Sequence, residues 1–595
     1  MKTRMKISLL LFVVTLVSAC AISIKKNSNT YLISQDWPSF GRDFSSQRFS
    51  PSTQINISNV QNLVQAWKVN TGVTGSFQTT PIVQNGVMYL SLPYNNVVAL
   101  DATTGKELWR YKHDRRKDWQ MCCGPANRGV AVANGKVFMG TVDARLIALN
   151  AKTGAKEWDI DVVEAAITTE GQDSLDKSDP NSARKVTGGT GTGIGIAMAP
   201  IVYKGKVIIG ITGVGYGLHI DNPREDAPLG AVIGVTGRYG RPGFLAAYDV
   251  NTGKRAWQFD TIPNQGWEGA FTTEKDGAVF NRDVAQEKLD LAKYPDSARF
   301  GGGSAWSTPA VDTATDTLFF GTGNPSPQMN DISRPGDNLY TVSLVALDTN
   351  TGKLKWYYQQ VPHDLWGYDL ASPPVLFNYN YHGKLVSAVG QASKTGWFYV
   401  HDRTTGKLLI KSEAFVPQQN LFKKATKEGI VIFPGILGGA NWSPVSLDEA
   451  NQRVYVAAIH QPIKYTLHES PSKDGAPPIR YAASEPTQDP RWGLLSSIDL
   501  VTGKIIWQNK IPQPLIGGVV ATAGGLLFVG EGNGNFNAFN AFNGALLWTA
   551  KSDFGVNAPP ITYTINGIQY IAVASGGNSI FGYKQGDAVL VYKLK

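Results

Sequence analysis

Cysteine is almost missing from this sequence: there are three in 595 residues, beside only seven histidines. No Cys-x-x-Cys, Cys-x-x-Cys-His or His-x-x-x-His occurs, which excludes thiolate and imidazole metal cages and covalently attached haem. Charge is also scarce, at 17%, against 63 glycines, 32 prolines and 10% aromatics. That balance excludes a disordered chain and points to a turn-rich β protein. The formal charge of +9 has no basic stripe behind it, and three of the charges (Lys2, Arg4, Lys6) lie in a leader, leaving 9 − 3 = +6. Scattered Lys and Arg without a recognition motif exclude nucleic acid as a partner and describe a solvated basic surface.

The apolar run Ile7–Val17 is too short to span a bilayer and follows a basic start, the pattern of a secretory signal. It ends in Val17-Ser18-Ala19-Cys20, which resembles a bacterial lipobox. Residues 1–19 are therefore expected to be a lipoprotein-type signal peptide, with Cys20 lipidated. The alternative is ordinary cleavage after Ala19, leaving an odd free thiol, a liability in an exported protein. Residues 20–35, rich in Ser, Asn and Lys, read as a tether. The other two cysteines are adjacent, Cys122 and Cys123. Side chains so close cannot both aim at one tetrahedral ion; they either close on each other as an eight-membered ring or stay separate buried thiols.

At 595 residues the chain exceeds the ~100–200 residues of one ordinary domain, so repeats decide its architecture. One phrase recurs: Ala99–Trp109 (ALDATTGKELW), Ala148–Trp158, Ala247–Trp257, Ala346–Trp356, Ser497–Trp507 and Ala538–Trp548. Val400–Ile410 is a copy without its Trp, and Trp67 has the Trp without the preceding turn, which makes eight. In each, an apolar strand runs into Asp/Asn-x-x-Thr-Gly, where the Asx and hydroxyl side chains bond the turn and Gly takes φ > 0. A second strand then delivers the Trp. Four short strands per ~40–50 residues is a propeller period. Residues 36–595 are predicted to form an all-β, eight-bladed propeller of four-stranded antiparallel blades. The recurring Trp is expected to pack between blades with its N–H bonded to backbone. Long insertions at 161–195, 219–240, 263–303, 325–341 and 412–440 are expected to crowd one face and cover the axis.

Five further motifs stand outside the repeat: Asp36-Trp-Pro-Ser-Phe-Gly, Cys122-Cys123-x4-Arg128-Gly, Phe320-Gly-Thr-Gly-Asn-Pro-x-Pro327, Arg334-Pro-Gly-Asp-Asn338 and Pro362-His-Asp-x-Trp366. With them the chain resembles the quinoprotein alcohol dehydrogenases, propeller enzymes that use pyrroloquinoline quinone (PQQ). The resemblance implies a vicinal disulfide Cys122–Cys123 against one face of the quinone and Trp306 against the other. It implies Arg128 on a PQQ carboxylate, a task suited to a guanidinium fork. Lys394 would bond the reactive carbonyl oxygen and stabilise charge developing there. Thr212, Gly213 and Asn441 would make further cofactor contacts.

The same resemblance implies a Ca²⁺ or lanthanide ion, held by an Asn, a Glu and an Asp; hard cations take oxygen ligands. Asn324 matches the Asn. The Glu position falls on Gly215 or Arg238, and the slot of the catalytic Asp is Gly367. Asp369, two residues on, is the candidate replacement as base or metal ligand, on the expectation that in an extended segment a shift of two keeps the same face. Gln78 replaces a Glu and Ala197 a hydroxyl residue. The expected function is PQQ-dependent oxidation of a primary or secondary alcohol or a polyol in the periplasm, with electrons passing to a separate cytochrome or membrane quinone. The alternatives are a non-catalytic lipoprotein scaffold and a PQQ-binding protein without turnover.

Overall fold

A computed structural model describes residues 35–595 except 116–125, 164–194, 213–241, 272–273, 276–277, 281, 296, 327, 329–330 and 471–478. The leader, Cys20, Cys122, Cys123, Gly213, Gly215, Arg238 and the 219–240 insertion lie outside the described residues, as does nearly all of the 161–195 insertion.

The repeated phrase builds the outer hairpin of seven of the eight blades. In blade 1 the strand Asn96–Asp101 ends on a carboxylate whose Oδ1 accepts from the backbone N–H of Thr103 (3.0 Å) and Thr104 (2.9 Å) and from both hydroxyls. Gly105, at φ 75°, turns the chain into Glu107–Tyr111. Trp109 on that last strand reaches the next blade and donates to the carbonyl of Ala151 at 3.0 Å. Trp67, Trp158, Trp257, Trp356 and Trp507 repeat the bond to Ala102, Val250, Thr349, Arg403 and Ala541 at 2.9–3.3 Å. The ring lies on the turn glycine it faces: a Cβ at Gly154 would stand 2.5 Å from Trp109, and one at Gly352 2.6 Å from Trp257. The Thr-Gly glycine is thus required twice, for its φ and for the indole above it.

Eight four-stranded antiparallel blades result among the described residues, at 82–111, 131–161, 201–260, 310–359, 375–411, 446–511, 519–551 and 561–594. The last takes its outer strand, Leu63–Gly75, from the N-terminal end of the chain, paired antiparallel with Gly586–Leu594. Trp67 lies on that strand, which explains a Trp without its own turn. Closing the ring in this way leaves no open sheet edge at the seam.

The chain before Leu63 runs past the innermost strands. Gln35 bridges Thr564, Trp37 bridges Val83, Phe44 and Ser45 accept from Val311 and Leu376, and Phe49–Ser50 pairs parallel with blade 7. Gln35, placed in the tether by the sequence reading, is already part of the propeller: it exchanges two backbone bonds with Thr564 and accepts from the Ser52 hydroxyl.

Successive strands of a blade reverse direction, so the second-to-third turn and the blade-to-blade connection lie at one end, and the Asp-Thr-Gly turns lie at the other. The described insertions, 263–303, 325–341 and 412–440, fall in connections of the first kind and therefore share one face. A further insertion, not expected from the sequence, lies there between Arg453–His460 and Trp492–Asp499: the hairpin strands Ile463–Ser470 and Ile479–Pro486, extended by Ile430–Ile432.

Candidate active site

At the insertion face, the residues three to six positions ahead of each innermost strand converge on the axis. They include Gln78, Arg128, Trp306, Asp369, Asn441 and Asn557. Hydrogen bonds pass from blade to blade at this level: Thr80 N–H to Arg128 O, Arg128 N–H to Ala197 O, Thr308 hydroxyl to Ala199 O, Ser307 hydroxyl to Ala371 O and Ser372 hydroxyl to Ser443 O. The ring of inner strands holds these side chains in place.

Arg128 is buried between two indoles, its guanidinium carbon 5.0 Å from the Trp306 ring and 5.1 Å from that of Trp442. It reaches the Trp306 carbonyl only at 3.4 Å, its Nε has no partner, and no carboxylate among the described residues is paired with it. Burial pulls its pKa from 12.5 to about 9. A buried cation flanked by flat aromatic faces and lacking a counter-charge is a receptor for a planar anion. Gln78 Oε1 and both amide atoms of Asn557 are likewise buried and unpartnered.

Lys394 and Asp369 both belong to blade 5, one in the turn after Lys384–Ala392 and the other ahead of Val375–Tyr381, so both stand at the same end. Lys394 Nζ donates to Asp369 Oδ2 at 2.7 Å and to the carbonyl of Gly367 at 2.8 Å. The two side chains are 5% and 6% exposed. Asp369 Oδ1 accepts the backbone N–H of Asn324 at 2.6 Å. The close approach needs two glycines: a Cβ on Gly438 would stand 2.3 Å from Lys394 Cγ, and one on Gly323 2.8 Å from Asp369 Oδ1.

The loops carrying these groups are locked together from behind. Asp364 accepts the N–H groups of Trp366, Gly367 and Tyr368 at 2.9–3.1 Å, while burial lifts its pKa to about 6. Arg334, wholly buried, donates to Asn338 Oδ1, Gln328 O and Asp364 O, which joins the RPGDN, GTGNP and HDLWGYD segments. His363 donates from Nδ1–H to the carbonyl of Gly336 at 2.8 Å, and burial lowers its pKa to about 4. The insertions clamp the same loop: Trp366 donates to Lys423 O, Tyr368 to Pro434 O, and Tyr465 to Trp366 O. They support the site loop from behind as well as crowding the face.

The structure thus brings together Arg128 with Trp306, and Lys394 with Asp369 and Asn324. It does not aim Asn441 outward, because its Nδ2 bonds Leu437 O and its Oδ1 accepts the N–H of Trp442. Thr212 makes a backbone bridge to Gly195. Asp369 does not sit on the expected extended segment: Gly367 has φ 80°, so the chain turns there, and Asp369 reaches Lys394 from beyond the turn. Asn557 was missed. Its signal was the shared phrase x-x-x-Pro of Gln78–Pro81, Trp306–Pro309, Asn441–Pro444 and Asn557–Pro560.

A hard cation fits poorly among the described residues. No three Asp, Glu, His or Cys side chains converge there. The one carboxylate of the site is already bonded to an ammonium. A planar polyanion fits better, since Arg128 lies between two indole faces and Gln78 and Asn557, also ahead of innermost strands, carry buried polar atoms without partners.

Comparison with known proteins bears on the fold and the family. The family profile "Glucose/ethanol/alcohol dehydrogenase, beta-propeller domain" of PQQ proteins matches residues 37–424 and 413–571. The quinohemoprotein alcohol dehydrogenase of Comamonas testosteroni is 33% identical over 575 residues, 92% of this chain and 73% of that protein. The quinoprotein alcohol dehydrogenase PedH of Pseudomonas putida is 32% identical over 554 residues, 89% of this chain and 84% of its own. The crystal structure of the Comamonas testosteroni protein superposes with a TM-score of 0.76 at 31% identity, covering 94% and 80% of the two chains. A europium-containing methanol dehydrogenase gives 0.75 at 26% identity, covering 94% and 98%.

Proposed function

The chain belongs to the family of PQQ-dependent glucose, ethanol and alcohol dehydrogenase propellers, and we propose that it oxidises an alcohol with PQQ as its cofactor. One observation carries the reading: a cation and a proton acceptor, Lys394 and Asp369, are buried 2.7 Å apart on the insertion side of blade 5, and on the same side Arg128, ahead of blade 2, lies buried between two indoles with no carboxylate partner among the described residues. Bound there, PQQ supplies the hydride acceptor.

This chain's own residues do the rest. Arg128 holds a cofactor carboxylate through charge-assisted hydrogen bonds, with Gln78 and Asn557 satisfying further polar edges. Trp306 stacks on the ring system and excludes water from it. Lys394 donates to a carbonyl oxygen, where a preorganised cation favours developing negative charge. Asp369 accepts the hydroxyl proton of the alcohol, its orientation fixed by the Asn324 N–H. Trp442, Ile516, Phe581 and Tyr583 form an apolar cluster beside Trp306, which suits an alcohol with an aliphatic or aromatic body better than a charged sugar. The adjacent Cys122 and Cys123 complete the slot as a disulfide platform in this reading.

A hard cation, expected from Asn324 and Asp369 and held as europium by one relative, finds no group of three ligating side chains among the described residues, so no step is assigned to it. The reduced cofactor passes its electrons to an acceptor, a cytochrome or a membrane quinone in this reading. The leader and Cys20 support export and a lipid anchor in the periplasm; no helix among the described residues is long and apolar enough to cross a membrane. The test is dye-linked oxidation of a panel of alcohols by PQQ-loaded protein. Alcohol-dependent dye reduction that Asp369→Asn abolishes is expected. Binding of PQQ without reduction under any alcohol would reduce the protein to a cofactor binder.

A further inference from the structure

We infer that Lys394 takes the place of the metal ion, so that this protein binds and uses PQQ with no divalent or trivalent cation. The inference rests on the proposed PQQ function and deepens it. The oxygens that a cation at this position needs are already engaged. Of the Asp369 carboxylate, Oδ2 accepts from Lys394 Nζ at 2.7 Å and Oδ1 from Asn324 N–H at 2.6 Å. The Gly367 carbonyl accepts from the same ammonium at 2.8 Å. Asn324 contributes one neutral amide oxygen, its Nδ2 being bonded to Pro325 O. Calcium requires six to eight oxygens, several of them anionic.

Nor can the missing carboxylate be supplied from position 367. Gly367 has φ 80°, and a Cβ there would stand 2.5 Å from Gln328 Nε2 and 2.8 Å from Ile436. The other vacated ligand slot is Gly215 or Arg238 in the sequence, the latter itself a cation. A metal placed beside Asp369 would face the Lys394 ammonium at contact distance, with like charges in a dry site. Lys394 carries the positive charge on a stem that Gly438 and the backbone bond from Gly439 N–H to Lys394 O fix in place. An ammonium anchored by one carboxylate and one carbonyl, with a third N–H left for a carbonyl oxygen, does the electrostatic work of a Lewis acid.

The test uses the full chain, stripped with a chelator and titrated with PQQ while tryptophan fluorescence and cofactor absorbance are followed. The same titration is repeated with Ca²⁺ and with La³⁺, and the metal content of the loaded protein is measured. We expect a Kd that changes by less than about twofold between the three buffers and no stoichiometric metal in the loaded protein. Lys394→Met should weaken binding about tenfold or more in all three buffers, and Lys394→Arg should restore most of it. Tightening by Ca²⁺ or La³⁺ of about tenfold, or one metal ion per bound PQQ, overturns the inference while leaving the PQQ function intact. Absence of PQQ binding in every buffer overturns the function itself. If Lys394→Met fails to fold, the wild-type titrations and metal content decide alone.

Discussion

Replacing Arg128 with Met should stabilise the cofactor-free protein while destroying its affinity for PQQ. The side chain keeps its approximate volume between Trp306 and Trp442 but loses the charge. A pKa held at about 9 in place of 12.5 corresponds to about 5 kcal/mol of unrelieved burial cost, as an order of magnitude. Stacking of the guanidinium on two desolvated indoles offsets about 1–2 kcal/mol at each ring. The net gain for the apo variant is then about 1–3 kcal/mol. A chain of 595 residues unfolds with an entropy of ~1.2 kcal/mol/K, so the melting temperature should rise by about 1–3 °C. Removing the partner of a buried anion should meanwhile weaken PQQ binding by about thirtyfold or more. Differential scanning calorimetry of both apo-proteins, followed by PQQ titration, checks both halves. An apo variant that melts lower, together with unchanged PQQ affinity, would refute the reasoning, because Arg128 would then be a structural residue.

Asp369→Asn should leave PQQ bound but lower kcat by about 10²–10⁴, measured with saturating alcohol. Gly154→Ala has nothing to do with catalysis, yet it pushes a methyl group to 2.5 Å from Trp109 at φ 72° and should cost about 2 kcal/mol or more in urea unfolding. Gly367→Asp, which restores a carboxylate by sequence, should destabilise the fold and confer no Ca²⁺ dependence on activity, because neither φ nor space permits the side chain. His363 is buried with its pKa lowered to about 4 from 6.5. Its contribution to stability is complete above pH 6.5 and is lost as pH falls through 4, up to about 3 kcal/mol, as chemical unfolding at a series of pH values should reveal.

Much of the frame was legible because it is periodic. The Asp-Thr-Gly-Trp phrase encodes a turn, a positive φ and an inter-blade ring contact, and each recurs at a fixed offset. Even the exceptions were readable: Trp67 lies on the closing strand from the N-terminal end, and Ile410 Cδ1 would stand 3.7 Å from a Cβ on Gly503, where other blades place an indole against the turn glycine. The shared face of the insertions follows from strand parity alone. The hairpin at 463–486 escaped notice because its alternating residues resemble a blade's own strands. At the site, the groups of one blade were accessible in principle, since Asp369 and Lys394 stand at the same end of blade 5. Their pairing was hidden by Gly367, whose left-handed φ turns a segment that reads as extended. Asn557 was hidden because a lone Asn before Pro-Pro looks like a turn residue. Only its register against Gln78, Trp306 and Asn441 distinguishes it.

The most direct test of a Lys394–Asp369 centre acting on PQQ is a single-turnover absorbance measurement. PQQ-loaded, chelator-treated protein is mixed with excess primary alcohol in the absence of any acceptor. Complete loss of the quinone absorbance is predicted for the wild type, and loss slowed about 10²-fold or more for Asp369→Asn. A quinone spectrum that persists through the whole alcohol panel, or that changes equally fast in Asp369→Asn, would contradict the account.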